Sequence, residues 1–315
     1  MNEKKFRGNG KLLLTGEYFV LDGAQALALP TILGQELHVE EKEESDGLIH
    51  WKSFDNEKKM WFEAVFNTQK MTVLKTNNSE VSSTLLQMFE VIKTLNSSIF
   101  SAKKDLNVAT YLEFPQNWGL GSSSTLIYTL AKWCEINPYV LLEKTMGGSG
   151  YDIACAGINQ AIIYQKKENV PTFQTVNFAP SFSENLYFVH LGKKQNSREG
   201  IAKYRATVHK NHLAMSELSQ LTEAILFSKD ITDFEKIIVE HEAIISNALE
   251  LTCAKDLHFQ DYDGAIKSLG AWGGDFVLAT SQISEAETFA YFHKKGFQTV
   301  LPYRQIILSK SQFGN

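Results

Sequence analysis

An α+β protein of two domains, divided near residue 180, is what the sequence predicts, and three observations carry that reading. The chain has 315 residues, more than one small domain needs and comfortable for two. Short alternating apolar runs of strand type are separated by longer runs with apolar residues at helical spacing. No internal repeat, low-complexity tract or long linker breaks this pattern.

The elements follow in order. "KLLLTGEYFVL", the turn pair Asp22-Gly23 and "AQALALP" read as a hairpin. "LHVEEKEES", "LIHWKSF" and "KMWFEAVF" continue as strands. Val81, Leu85, Met88, Ile92 and Leu95 recur at helical spacing in "SEVSSTLLQMFEVIKTLN". "LNVATYLEF" returns to strand, and Leu126, Ile127, Leu130 and Cys134 mark one face of a helix running to about Glu135. In the second half "NLYFVHLGKK" is a strand, and two helical stretches follow at 204–227 and 232–250. "GDFVLAT" and "YRQIILS" read as strands, with "EAETFAYFHKKG" a helix between them closed by Gly296.

Composition narrows the function classes. Apolar residues make up 43% of the chain and charged residues 21%, with only 6 prolines, enough to bury a sizeable core and unlike a disordered chain. The net charge of −5 and the lack of a basic stripe with interleaved aromatics argue against a nucleic-acid partner. Cys134, Cys155 and Cys253 are odd in number, far apart and without CxxC spacing, which suits buried free thiols in a reducing compartment and not a zinc site. The start has no apolar segment of signal-peptide length, and no run approaches the roughly 18 apolar residues of a membrane span, so a cytoplasmic protein with no membrane partner is expected.

The stretch "NWGLGSSSTL", residues 117–126, stands where a strand gives way to a helix. The first amides of a helix have no intrahelical partner, and the aligned peptide dipoles make that end attractive to anions. Gly119 and Gly121 would let the backbone approach a phosphate closely, and Ser122, Ser123 and Ser124 add hydroxyls that can cap the helix or ligate Mg²⁺. A tight turn with a serine cap is the plainer alternative. GxxxxGK[ST] is absent, and Ser124 stands where the third glycine of a dinucleotide fingerprint would be.

Four stretches taken together extend the reading: "GKLLLTGEYFVLDGAQALALP" at 10–30, "GLGSSS" at 119–124, "GGSGYDIACAG" at 147–157 and "KSLGAWGGDF" at 267–276. In content and order they resemble the motifs of the GHMP kinases. "GEYFVL" and Asp275 in "GGDF" look like the mevalonate-pathway branch, phosphomevalonate kinase in particular. "GKKQNSREGIAKY" at 192–204 resembles the substrate loop of mevalonate kinases and diphosphomevalonate decarboxylases, and "GYDIA" resembles the label of a bacterial subgroup. Decarboxylases lack the "GK" form of the first motif seen here at Lys11.

The resemblance implies a two-domain GHMP kinase fold. Residues 1–180 would form an ATP-binding domain like ribosomal protein S5 domain 2, and residues 181–315 a ferredoxin-like domain, with ATP and Mg²⁺ used to phosphorylate a small metabolite. Phosphomevalonate is the leading acceptor and mevalonate the next; a metabolite-binding protein without turnover is the reading from another class. By the same resemblance Gly119, Leu120, Gly121, Ser122, Ser123 and Ser124 would hold the nucleotide phosphates. Ser123 with Glu143 would hold the metal. Asp152 would accept the acceptor's proton, its alternative role being the N-cap of the next helix. Lys11 would depress the Asp152 pKa and stabilise charge on the transferred group. Glu17, Ser197, Arg198, Gly270, Gly273 and Gly274 would contact the acceptor, with Lys193 and Lys194 in the same cationic loop. Trp272 stands where the family usually has glycine, and its bulk would crowd the third glycine turn.

His209 and His212 read as surface or capping residues. Trp51, Trp61 and the nearby phenylalanines read as core or sheet-face residues.

Overall fold

The structure is a computed structural model that describes residues 3–42, 46–100, 104–193, 197–207, 211–272 and 275–309, with the backbone alone described for Ser197, Arg198 and Thr207. The chain forms two compact units. One comprises Met1–Gly10, Leu33–Gln116 and Gly121–Gly157; the other comprises Lys11–Ile32, Asn117–Leu120 and Ile158–Asn315. Two long strands, β1 (Glu3–Leu13) and β2 (Ala26–Lys42), each run from one unit into the other.

In the first unit β3 (Leu48–Phe54), β4 (Met60–Asn67), β5 (Thr72–Thr76) and α1 (Ser79–Leu95) precede β6 (Asp105–Leu112), α2 (Ser122–Trp133), α3 (Pro138–Thr145) and α4 (Tyr151–Ala156). Strand order is β5-β4-β3-β6-β2, with β3 and β6 parallel and the other pairs antiparallel. Burial alternates strictly along β6, so the strand's two faces meet different surroundings. On the inner face Leu37, Val39, Ile49, Trp51 and Phe62 pack with Leu85, Met88 and Ile92 of α1 and with Ile127 and Leu130 of α2. Trp51 is a core residue at 1% exposure, whereas Trp61 stays 38% exposed on β4. The expected helices form with ordinary caps: Asn78 accepts from the Glu80 and Val81 amides before α1, and Asn137 accepts from Tyr139 before α3.

In the second unit the expected first hairpin is present, since β1 pairs with β2, but its "FVLD" portion, Phe19–Asp22, is a 3-10 turn and not strand. β7 (Ile162–Lys167) joins β2 through Ala26–Ala28 and pairs in turn with β8 (Val170–Thr175). After β9 (Leu186–His190) come α5 (Ser197–Thr207), α6 (His212–Ile225), α7 (Ile231–Leu249) and α8 (Ala254–His258), then β10 (Ile266–Ser268), β11 (Phe276–Thr280), α9 (Glu285–Lys294), β12 (Val300–Pro302) and α10 (Tyr303–Ile306). The small sheet is antiparallel in the order β10-β11-β9-β12.

Two expectations need correction here. The stretch 204–227 holds the end of α5 and the whole of α6, which starts after the cap residue Asn211. "YRQIILS" is not a strand: Pro302 has no N–H to extend the ladder beyond β12, and the chain turns into α10. The helix α9 forms as read, with a Ser284–Glu287 capping box and Gly296 at φ 95° just past its end. Among the described residues no helix is long and apolar enough to cross a membrane.

Candidate active site

Residues 117–120 of the glycine-serine stretch belong to the second unit and residues 121–126 to the first. In the second unit Lys11 holds residues 119 and 120 at two points: its amide donates to the Leu120 carbonyl at 3.0 Å and its ammonium to the Gly119 carbonyl at 2.7 Å. Gly119 has φ 66°, and a Cβ built there would lie 2.4 Å from the Asp275 carboxylate, so only glycine lets that acid approach. His190 bonds the Asn117 carbonyl at 3.0 Å and Trp118 packs edge-on against Phe276, which seats the turn on β9 and β11.

In the first unit Gly121, at φ 92°, is the N-cap of α2, and no side chain caps the helix. The serine-cap alternative is therefore not what the chain adopts. The three serines differ: Ser124 is buried and donates back to the Gly121 carbonyl at 3.0 Å, Ser122 is half-buried, and Ser123 is exposed. Thr125 is anchored to Gln35 at 2.7 Å. A helix start with no side-chain acceptor leaves its first amides to solvent or to an anion.

Gly147 and Gly148 form an exposed turn at φ 67° and 113°, with open space where side chains would stand. Gly150 at φ 89° is the N-cap of α4, so Asp152 is not the cap; it is the second residue of the helix, half-buried, with Oδ1 accepting from the Ile153 amide at 3.0 Å. Burial pushes the Tyr139 phenol up to about 12, with Cys155 and the Asp152 carboxylate adding to that push. Glu143 is exposed on α3. Among the described residues no three His, Cys, Asp or Glu side chains gather to hold a metal.

The remaining predicted residues lie in the second unit. Ser197 and Arg198 are not in a loop: they open α5, and their side chains, with Lys194, lie outside the described residues. Lys193 is exposed. Gly270 turns at φ 61°, while Gly273 and Gly274 lie outside the described residues, as does His209; His212 is exposed at the start of α6. Trp272 has φ 49°, which accounts for glycine being the favoured residue there, at a cost of about 1–2 kcal/mol for a side chain. Its indole does not stand out into the turn; it is 5% exposed in a cluster with Tyr18, Phe19, Tyr204 and Leu249.

Glu17 is fully buried. Its Oε1 accepts from the Lys267 ammonium at 2.5 Å, and Lys267 is also wholly buried. His241 Nε2 lies 3.8 Å from the other Glu17 oxygen and accepts from the Gly16 amide at 3.0 Å, so the ring proton is on Nδ1. Burial pushes the Glu17 carboxyl up to about 7 against the pull of Lys267. Burial, with Lys267, holds His241 well below its ordinary value. Glu242 accepts from the Ser268 amide at 3.0 Å and hydroxyl at 2.7 Å. Glu17, expected to contact the acceptor, thus stands in a buried ion pair with Lys267.

No protein-family model and no curated protein matches the sequence. Solved structures do match over nearly the whole chain. The Lin0012 protein of Listeria innocua aligns at TM-score 0.71 and 18% identity, covering 96% of this chain and 97% of its own. Phosphomevalonate kinase of Streptococcus pneumoniae, solved with phosphomevalonate and AMPPNP, aligns at 0.69 and 14%, covering 95% and 99%. Mevalonate kinase of Methanococcus jannaschii aligns at 0.68 and 16%, covering 98% and 99%. The chain has the GHMP kinase fold.

Within the GHMP kinase fold, the stretches at 10–30 and 267–276 meet in the second unit through Glu17 and Lys267, with His241 beside them. Lys267 and His241 carry no local signal: a lysine inside a three-residue strand breaks the apolar pattern by which strands are found. Asp275 is marked by "GGDF", but no local pattern marks its approach to Gly119.

Proposed function

We propose that the protein is an ATP-dependent small-molecule kinase. The observation that carries this is the glycine-capped start of α2, whose first amides have no side-chain acceptor, in a turn held by Lys11. The amides of Ser122 and Ser123 would receive the β- and γ-phosphates, with Gly119, Leu120 and Gly121 giving the backbone its close approach. The likeness to solved kinases of this fold supports the same reading.

In the reaction, an acceptor oxygen forms a bond to the γ-phosphorus while the bond from that phosphorus to the β,γ-bridging oxygen breaks, and ADP leaves. Asp152 takes the proton of a hydroxyl acceptor, and Lys11 offsets charge on the transferred group. Ser123 and Glu143 would hold Mg²⁺, which when bound neutralises phosphate charge. Ser197, Arg198, Gly270, Gly273 and Gly274 are our candidates for the acceptor side, with Glu17 acting through Lys267. We assign nucleotide binding to residues 1–180 and the ferredoxin-like domain to 181–315, and we place the enzyme in the cytoplasm.

Phosphomevalonate is the acceptor we favour, followed by mevalonate. The test is ADP release with Mg·ATP and a panel of phosphomevalonate, mevalonate, homoserine and sugars. Turnover on phosphomevalonate supports the full reading, and turnover on another acceptor rejects the substrate while keeping the kinase. Binding of ATP without turnover on any acceptor overturns the kinase.

A further inference from the structure

The turn Gly16–Tyr18 is built under constraint. A Cβ at Gly16 would lie 2.7 Å from both the Ala26 side chain and the Gln25 carbonyl, so the backbone is pressed against β2. The next two residues point to opposite ends of one segment. Glu17 pairs with Lys267 at 2.5 Å, and the Tyr18 hydroxyl donates to the Ala271 carbonyl at 2.8 Å. Between those contacts lies the third glycine turn, in which the Leu269 amide donates to Phe276 at 3.1 Å and the Trp272 amide to Leu269 at 3.3 Å.

Several features distinguish this arrangement from ordinary packing. A buried ion pair is often no more stable than apolar residues of the same size, because both charges lose their water, so its presence calls for another role. Glu17 Oε2, His241 Nδ1 and Trp272 Nε1 are buried without a hydrogen-bond partner among the described residues, a further cost clustered in the same place. Tyr18, the donor of the second tie, and Trp272, next in sequence to its acceptor Ala271, both have positive φ, 60° and 49°, a conformation that bulky side chains seldom adopt. A third element closes on the same hydroxyl: a Cβ at Gly200 of α5 would lie 2.3 Å from Tyr18 Oη, and Tyr204, one turn on, stacks on the Tyr18 ring at 5.7 Å.

We infer that Glu17 and Tyr18 are positioning residues that set the third glycine turn, Leu269–Trp272, and that Gly200 lets α5 seat on the Tyr18 hydroxyl so that the acceptor segment and this turn are fixed together. The inference rests on the proposed kinase function for its catalytic consequence, while the structural coupling itself is independent of it.

The experiment uses the full chain and the variants Tyr18→Phe, Gly200→Ala and Glu17→Gln. Amide hydrogen exchange without ligand reads the coupling directly. Tyr18→Phe keeps the ring and removes one hydrogen bond, so exchange at Leu269 and Trp272 should quicken by up to about tenfold while β9 and β11 stay protected. Gly200→Ala should give the same signature, because its methyl group displaces the hydroxyl. In the active enzyme KM for the acceptor should rise by a similar factor, with KM for ATP little changed. Unaltered exchange at Leu269 and Trp272 in Tyr18→Phe and Gly200→Ala overturns the inference, whatever the kinetics; altered exchange in a protein without turnover upholds it and rejects only the kinase. Glu17→Gln adds the other tie: if it folds, it should loosen the same amides, and if it does not, the other two variants decide.

Discussion

The Lys11 ammonium donates to the carbonyl of Gly119 at 2.7 Å, and the Lys11 amide donates to the Leu120 carbonyl, so one residue fastens the glycine-serine turn by main chain and side chain together. Lys11→Met should keep the main-chain bond and lose the charge. We expect turnover to fall by about 10²–10³, the loss typical of removing one group that stabilises transferred charge, and ADP release measures it. A drop of less than about tenfold would leave Lys11 with a structural role alone.

Ser123 and Ser124 should separate. The Ser124 hydroxyl is bonded into the first turn of α2, whereas Ser123 is exposed. Ser124→Ala is expected to cost about 1 kcal/mol in chemical denaturation with little change in KM for ATP. Ser123→Ala should leave stability unchanged and weaken use of Mg·ATP more than binding of the acceptor. The reverse pattern would give the exposed serine to the acceptor.

Asp152→Asn tests the proton path through the nature of the acceptor. A hydroxyl must lose its proton, so turnover on such an acceptor should fall by about 10²–10⁴. A phosphate monoester, with its second pKa near 6, is already largely deprotonated at pH 7.5, and the loss there should stay under about tenfold. Steady-state rates on both kinds of acceptor decide this; near-normal turnover on a hydroxyl would remove Asp152 from the chemistry.

The Glu17 carboxyl gives a stability test. Burial pushes it up from the ordinary 4.5 to about 7 in the folded chain, so its contribution is full below about 4.5 and is lost as pH rises through 7. His241 works the other way, since its folded pKa is lowered and its contribution grows as pH rises towards 6.5. Glu242 is raised, with burial the main cause, and Lys267 faces both acids. Above pH 6.5 the His241 contribution is nearly complete. Between pH 6.5 and 8, therefore, denaturation midpoints of the native chain should fall, and Glu17→Gln should flatten that fall. An equal slope in both proteins would show that Glu17 does not titrate there.

Elements with a strong local pattern were legible in the sequence. Burial alternates without exception along β6, and Val81, Leu85, Met88 and Ile92 of α1 face the core as their spacing predicts while Leu95 stays exposed, because burial on one side imposes the period of the backbone on the residue types. β8 is an edge strand exposed at nearly every position, and β10 has three residues, one of them a buried lysine. Neither leaves a periodic trace, and neither was foreseen. The same contrast holds at the site. The glycines and serines of 119–124 announced an exposed helix start, while the choice of Gly121 over a serine as cap depended on the backbone conformation.

The four glycine-containing motifs, the helix start after Trp118 and the placing of an acid behind a glycine turn are properties of the sequence, since each is written in residues close to one another along the chain. The burial of Glu17 against a lysine 250 positions away, the inward turn of Trp272 and the meeting of Gly119 with Asp275 were decided by tertiary structure. No local periodicity encodes a pairing of that span; it arises when packed elements exclude water and leave a charge with only one partner able to satisfy it.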